Sequence, residues 1–503
     1  MVNANRQKAK TMKIMDSKGK VLLIYPGPKT KLPRLPMSCI VLAAHLRQKN
    51  FQVDILDTRL DSLDNQDFSD YLCVGISSMS GVQLKHAVNA ATSIKANYPN
   101  LPLVWGGAHV SFYPEISAAD DLVDYVVRGE GEESFIEVIE RVIINKEFQA
   151  IDGAIFYREG KCYSGGNREF IDPDTLAFPA YDLVDLAKYA DYIEGFSYET
   201  SRGCPYRCRF CYNLLFHDRK WRKKSSEKVI TELKRIKNDL GARKLYFIDD
   251  NFMVSLPRVK EICAGIKNEG INWAAAARAN YLAKYDRSDF AVLKESGCLY
   301  LQCGAESGSV TELEHIHKDI TPREIIDTAK NCIDGGIMPV FSFMIGMPNE
   351  TEQDRLATLD IYDQIMKVSS KIEINGIFVY TPYPGTSLYA EALALGYQQN
   401  KTFQDWINWS FSDAKVIPWL NRKLRASLQA IETLSTYKFY IHRMNFYSKE
   451  FRRKKLGKLG CFLYGLVIPV MNLSANFRWK HRFFDFAWEW RFWKFIIARF
   501  FPR

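Results

Sequence analysis

Short apolar runs that end in loop residues recur through the first third of the chain. Lys20-Val-Leu-Leu-Ile-Tyr25 runs into Pro26-Gly27-Pro28, which predicts a buried strand followed by a loop. Met37 to Arg47 has helical spacing, and Val53-Asp-Ile-Leu56 reads as the next strand. Leu72-Cys-Val-Gly-Ile-Ser77, Leu103-Val-Trp105 and Tyr125-Val-Val127 continue the series, with helical stretches between them. Such alternation over residues 18–165 predicts an α/β domain, a doubly wound, Rossmann-like parallel sheet. Ala154-Ile-Phe-Tyr157, a Glu-Gly turn and Cys162-Tyr163 predict a hairpin rather than more parallel sheet. Asp172-Pro-Asp and Phe178-Pro-Ala mark residues 166–194 as a linker.

The alternation resumes near residue 195. Tyr198-Glu-Thr200 reads as the end of a first strand. Lys244–Asp249, Asn272–Ala276, Leu299–Cys303, Pro339–Met344 and Glu373–Val379 read as five more. With helices such as Glu227–Asp239 and Arg323–Cys332 between them, residues 195–400 predict a partial (β/α)6 barrel. In both arrangements ligands gather at the carboxyl ends of the strands. In the first domain those ends carry Ser77, Ser78 and Met79, then Gly106, Gly107 and His109, then Gly129, Glu130 and Gly131. In the second they carry Asp249, Arg278, Glu306 and Gly346-Met347-Pro348. Turn glycines alone account for the first set about as well as a ligand does. His109 reads equally as a loop histidine bonded to backbone. Helix capping is the alternative for Asp249 and Asp250, and a loop salt bridge for Glu306. His315 and His317 lie in a charged stretch and read as a solvated helix, not a metal pair.

At 503 residues the length implies about three domains. Eleven cysteines are not spaced as a secreted disulfide framework. MVNANRQKAKTMK is polar and basic without an apolar core, so no secretory signal and a cytoplasmic location are expected. The net charge of +10 is uneven: residues 451–503 hold twelve Lys/Arg and two Asp/Glu, while the first 450 hold 56 of each sign. That tail also holds fifteen aromatics, within a region (401–503) whose pattern is helical. Cys461–Met471 is too short to span a bilayer, which takes about 20 apolar residues. Trp479, Trp488, Trp490 and Trp493 among Arg and Lys suit a peripheral membrane surface on the cytoplasmic side. A helical cap with core aromatics is the alternative. Nucleic acid or an acidic protein partner comes last.

The chemistry concentrates in Cys204-Pro-Tyr-Arg-Cys208-Arg-Phe-Cys211. Three thiolates on one loop are soft ligands for iron–sulfur or zinc. Structural zinc usually takes four ligands from paired Cys-x-x-Cys groups, and here the next cysteine is Cys263. A cubic cluster on three cysteines would keep one iron open. The Cys-x₃-Cys-x-aromatic-Cys form, with Phe210 as the aromatic, resembles the signature of radical S-adenosylmethionine (SAM) enzymes. With the Gly106-Gly107-x-His109 and Arg128-Gly-Glu-Gly-Glu132 loops before it, the chain resembles the cobalamin-dependent (class B) radical SAM family over about 380 residues.

The resemblance implies a [4Fe-4S] cluster on Cys204, Cys208 and Cys211. It also implies SAM near Phe210, Asp249, Arg278, Glu306, Gly346, Met347 and Pro348, and cobalamin on the loops of the first domain. Asp-x-His-x-x-Gly is absent, since His45, His86 and His109 lack that context. Cobalamin would then lie without a histidine ligand, and a sheet that holds some other ligand stays open. The activity implied is methyl transfer to an unactivated carbon of a lipid-like or other apolar small molecule, with a flavodoxin- or ferredoxin-type electron donor. Cyclisation or oxidation of a tetrapyrrole or isoprenoid is the alternative within the fold. A non-catalytic iron–sulfur or cobalamin sensor is the alternative from another class, which the intact cysteines and Glu306 argue against.

Overall fold

Alternate residues of Lys20–Tyr25 (β1) enter different cores. Val21 and Leu23 join the cluster of Cys39, Ala43 and Leu46, from the helix Met37–Gln48. Leu22 and Ile24 join that of Leu84, Ala87, Ala91 and Ile94, from the helix Val82–Asn97. A strand with both faces buried this way needs an apolar residue at every position, which is why the run is continuous. The computed structural model describes residues 17–64, 66–189, 195–409, 417–446 and 473–485, the side chains of 408 and 436–446 excepted.

The first sheet has seven strands. After β1 come Gln52–Asp57 (β2), Tyr71–Ser77 (β3), Leu103–Gly106 (β4), Tyr125–Val127 (β5), Ala154–Arg158 (β6) and Lys161–Ser164 (β7). Their order is β2-β1-β3-β4-β5-β6-β7. β1 pairs in parallel with both β2 and β3, so the topological switch point, the usual ligand crevice, lies between β1 and β3. The β6–β7 hairpin is present as expected, but it is not separate from the sheet. β6 pairs antiparallel with β5 and extends it.

The second large sheet has six strands in the order β8-β11-β12-β13-β14-β15. These are Phe196–Tyr198 (β8), Lys244–Phe247 (β11), Asn272–Ala277 (β12), Cys298–Glu306 (β13), Met338–Ile345 (β14) and Glu373–Val379 (β15). β12 to β15 pair in parallel, as strand–helix alternation requires. Between β8 and β11 a two-stranded antiparallel ribbon is added, Ser201–Arg202 (β9) with Arg222–Lys223 (β10). β8 ends at Tyr198, within the strand end read from Tyr198-Glu-Thr200, and the cysteine loop follows β9, which two residue pairs hold to β10.

By its contacts the described chain divides into two compact units. One takes in residues within 1–203, 215–245 and 399–411; the other takes in residues within 204–214, 246–398 and 412–503. Phe403, Trp406 and Trp409, grouped by sequence with the C-terminal region, lie in the first unit's core beside Trp105 and Val110. In the second unit the helix Arg422–Phe446 runs along the edge strand β15, where Ser435 Oγ accepts the Ile377 N–H at 3.0 Å. Covering an edge strand with a helix removes an open pairing template.

Trp479 is buried, its indole N–H bonded to Asp363 at 2.8 Å and its ring 4.7 Å from that of Tyr362. Arg482 pairs with Asp360 and Asp363. For this segment the cap alternative holds, and the expectation of Trp479 at a membrane surface is corrected. Residues 451–472, with Cys461–Met471, and Trp488, Trp490 and Trp493 lie outside the described residues. Among the described residues no helix is long and apolar enough to cross a membrane.

Candidate active site

The ribbon that leads into the thiols is tied down by charge. The Arg202 guanidinium meets Glu132 at 2.7 Å, Glu199 at 2.8 Å and Glu130 at 3.3 Å, all within the first unit. Arg222 grips Glu130 through two bonds of 2.8 Å, and the Ile171 N–H donates to the same carboxylate at 3.2 Å. Burial alone would push the Glu132 carboxyl up, but Arg202 outweighs it and holds the group below its ordinary value. Glu130 is one of the residues that sequence assigns to cobalamin. Its side chain is committed to two arginines, because a buried carboxylate must be paired.

Cys204 and Cys211 are half-buried and Cys208 is buried, all in the second unit. Desolvation pushes the Cys204 thiol up and the Cys211 thiol up to about 12. Thiols in such a place ionise when a cation compensates, and a bound metal supplies one. One protein cation is already there: Arg278 Nη1 lies 3.3 Å from Cys208 Sγ, and its guanidinium stacks 3.5 Å over the Tyr206 ring. Its other arm bonds the Lys318 carbonyl. Asn251 Nδ2 approaches Cys204 Sγ at 3.9 Å. Among the described residues no three His, Cys, Asp or Glu side chains gather as the ligands of one ion. The soft, desolvated donor set suits a cluster that takes one thiolate per iron.

Glu306 ends β13 in a left-handed conformation, φ 64°, and its carboxylate accepts from Lys318 Nζ at 2.7 Å. A Cβ at Gly304 would stand 2.1 Å from Glu306 Oε1, so a side chain there would displace the carboxylate. Lys318 Nζ is also 5.7 Å from the centre of the Phe210 ring. Lys318 therefore touches three residues that sequence assigns to SAM, and the sequence reading missed it. Phe210 packs on Ile316, Met347, Tyr380 and Leu388. The backbone of Gly346, expected to line adenine, is already engaged. Its N–H goes to Glu350 at 2.7 Å and its carbonyl accepts from Trp419 Nε1 at 3.0 Å. Burial pushes the Glu350 carboxyl up to about 8. Asp249 is buried beyond β11, and Asp250 accepts from the Tyr212 hydroxyl at 2.7 Å instead of capping a helix. His315 is not solvated: Glu312 and Glu391 hold its two ring nitrogens.

At the carboxyl ends of the first sheet, Ser78 is locked inward, its hydroxyl and its N–H both 2.8 Å from the Gly106 carbonyl. Ser77 meets Ser38 at 3.2 Å. Gly107 has φ 96°, and a Cβ there would stand 2.5 Å from the Ser78 carbonyl, so two loops cross backbone to backbone. A Cβ at Gly129 would meet nothing within 4 Å and one at Gly106 nothing closer than the Val127 carbonyl at 3.8 Å, and Met79 and Val82 are exposed. Backbone and apolar groups of this kind suit a ligand gripped without charge. His109 is corrected on both counts. It lies in the short helix Ala108–Phe112, wholly buried among Tyr113, Phe403 and Trp406, with Nδ1 2.9 Å from Ser80 Oγ. Burial pushes its imidazole down to about 3.

Two family models match the chain, the radical SAM superfamily over residues 198–361 and the B12 binding domain over residues 32–139. An uncharacterized methyltransferase of Pyrococcus horikoshii is 33% identical over 402 residues, 76% of this chain and 84% of that protein. The hopanoid C-3 methylase of Methylococcus capsulatus is 25% identical over 73% of this chain and 71% of its own. Among solved structures, the cobalamin-dependent SAM radical enzyme OxsB, with aqua-cobalamin and SAM bound, superposes with a TM-score of 0.69. That match is 19% identical and covers 91% of this chain and 72% of OxsB.

Proposed function

Because the chain belongs to the cobalamin-dependent radical SAM enzymes, which work with a [4Fe-4S] cluster, SAM and cobalamin, we propose that it is a methyltransferase acting at an unactivated carbon of an apolar, lipid-like small molecule. The observation that carries the reading is the thiol loop. Three desolvated thiols stand on one turn, with a guanidinium on Cys208 and the buried Lys318–Glu306 pair in the same unit. The methylase named for hopanoids supports the substrate class.

In this reading Cys204, Cys208 and Cys211 hold the cluster. Arg278 steadies the Cys208 thiolate and, with Glu306 and Lys318, offers paired charges to the amino and carboxylate groups of SAM. Phe210, Asp249, Met347 and Pro348 complete that pocket, with Gly346 shaping the turn. Residues 18–165 are the cobalamin domain, with backbone at Ser77–Met79, Gly106–Gly107 and Gly129–Gly131 as the cradle, and residues 195–400 the barrel. When bound, the cofactors supply a carbon radical from SAM and a methyl group from cobalamin. The protein's part is to orient these groups and exclude water.

The test is anaerobic reconstitution with iron, sulfide, cobalamin, SAM and a one-electron reductant, followed by assay for 5′-deoxyadenosine. Lipid extracts of cells expressing the protein are then searched for a product heavier by one methylene. Changing Cys204, Cys208 and Cys211 together to Ala should abolish both. Persistence of 5′-deoxyadenosine in that variant defeats the cluster assignment, and a methylated product that is polar defeats the substrate class.

A further inference from the structure

Arg209 stands inside the cysteine motif, between Cys208 and Phe210, and both its backbone and its side chain are bonded to other segments. Its N–H donates to the Ile316 carbonyl at 3.0 Å, and its own carbonyl accepts from the Leu388 N–H at 3.1 Å. Its guanidinium bonds the His315 carbonyl at 3.1 Å and pairs with Glu391 at 2.5 Å. The second oxygen of Glu391 meets His315 Nε2 at 2.8 Å, and His315 Nδ1 meets Glu312 at 3.0 Å. Glu312 is buried. Four side chains thus form one line from the middle of the thiol turn to a carboxylate in the core.

The charges decide how the line works. Both ring nitrogens of His315 face carboxylate oxygens, so each makes its bond as a donor when the ring is an imidazolium. The bond to Glu312, joined by Glu391, raises the His315 pKa above its ordinary value. Burial would push Glu391 up, but its bonds from His315 and Arg209 outweigh it and hold the carboxyl low. Two cations and two anions then alternate and balance. His315 ends one short helix (Val310–His315), and Glu391 lies on another (Ser387–Ala394).

We propose that His315, acting through Glu391 on Arg209, is a positioning residue that holds the turn carrying Cys208 and Cys211 in the geometry that SAM cleavage requires. It rests on the cluster reading of the three cysteines. The distance from His315 to the thiols is bridged by bonds, not by contact, so the expected effect is on turnover rather than on cluster binding. Small displacements of a reacting group by a remote change cost up to about 100-fold in rate.

The test uses full-length protein reconstituted anaerobically, with His315→Gln, Glu391→Gln, their double variant and Arg209→Lys. Iron content, thermal midpoint, the paramagnetic resonance of the reduced cluster with and without SAM, and the kcat and KM for 5′-deoxyadenosine formation are measured. Expected for H315Q and E391Q are wild-type iron, a KM for SAM within about threefold, a kcat lower by about tenfold, and an altered resonance with SAM. The double variant should be no worse than either single, because both break the same line. Arg209→Lys, which keeps the charge, should retain most of the rate. Wild-type kcat and resonance in both single variants overturn the proposal, as does additivity in the double. Loss of iron from both also overturns it, since the line would then serve assembly. Wild-type protein that makes no 5′-deoxyadenosine sinks the family-based reading instead, whatever the variants do.

Discussion

At the carboxyl ends of the first sheet the polar side chains are engaged elsewhere, whereas at the thiol loop a guanidinium rests on a sulfur and further charged pairs lie in the same unit. Glu130 is spent on Arg222 and Arg202, Ser78 on a carbonyl, and His109 on Ser80 within an aromatic cage. A Cβ at Gly129 would meet nothing within 4 Å, and one at Gly106 nothing closer than 3.8 Å. In the second unit Arg278 leans on Cys208, Lys318 on Glu306, and Arg209 on Glu391. A broad ligand that keeps its charge can be held by shape and backbone, where fixed charges would only cost desolvation. Cleavage of a sulfonium by an added electron moves charge, and preorganised charges are what such a step needs.

The largest expected effect tests the charged side of that contrast. Lys318→Met leaves Glu306 without its cation and should raise the KM for SAM by about 10- to 100-fold, the worth of one hydrogen bond to a charged group. Iron content should not change. A KM within twofold of wild type would mean that the pair is only a buried structural bridge.

The uncharged side is sharpened by two adjacent glycines. Gly107→Ala forces a side chain into φ 96° and against the Ser78 carbonyl, and should lower stability by about 2 kcal/mol or more. Gly106→Ala meets nothing closer than 3.8 Å, so the urea midpoint should hold while cobalamin affinity falls several-fold. Equal cobalamin binding by G106A and wild type would remove Gly106 from the candidate site.

His109 gives a pH dependence of definite sign. Its folded pKa is depressed to about 3, so between there and about 6.5 the unfolded chain binds the extra proton. Stability from this group is complete above 6.5 and is lost as the pH falls. Between pH 7 and pH 5 the loss is about 2 kcal/mol. His109→Gln should flatten that part of the urea-denaturation profile. An unchanged slope would show that other groups carry it.

The smallest effect concerns the basic tail. Each basic residue near an anionic leaflet contributes on the order of 1 kcal/mol, and Arg482 is already paired with Asp360 and Asp363. Weak, salt-sensitive co-sedimentation with anionic liposomes is expected of the full chain, and loss of it after removal of residues 486–503. Binding that survives the deletion would point to another surface.

The sequence by itself carried the strands and the grouping of the three thiols. Lys20–Tyr25 and Glu373–Val379 are strands over just the residues read as strands, and in Lys20–Tyr25 burial of both faces writes apolar residues into consecutive positions. Cys204, Cys208 and Cys211 were legible as one set of donors because a single loop carries all three. Only the tertiary structure decided what the polar residues around them do. Glu130 looked like part of a ligand loop until Arg222, 92 residues further on, took its carboxylate. His109 read as a ligand contact or a loop histidine until Trp406 and Phe403 closed over it, and Lys318 had no local pattern to mark it as Glu306's partner. Charge pairing and aromatic packing join residues by distance in space, and chain separation leaves no periodic trace of either.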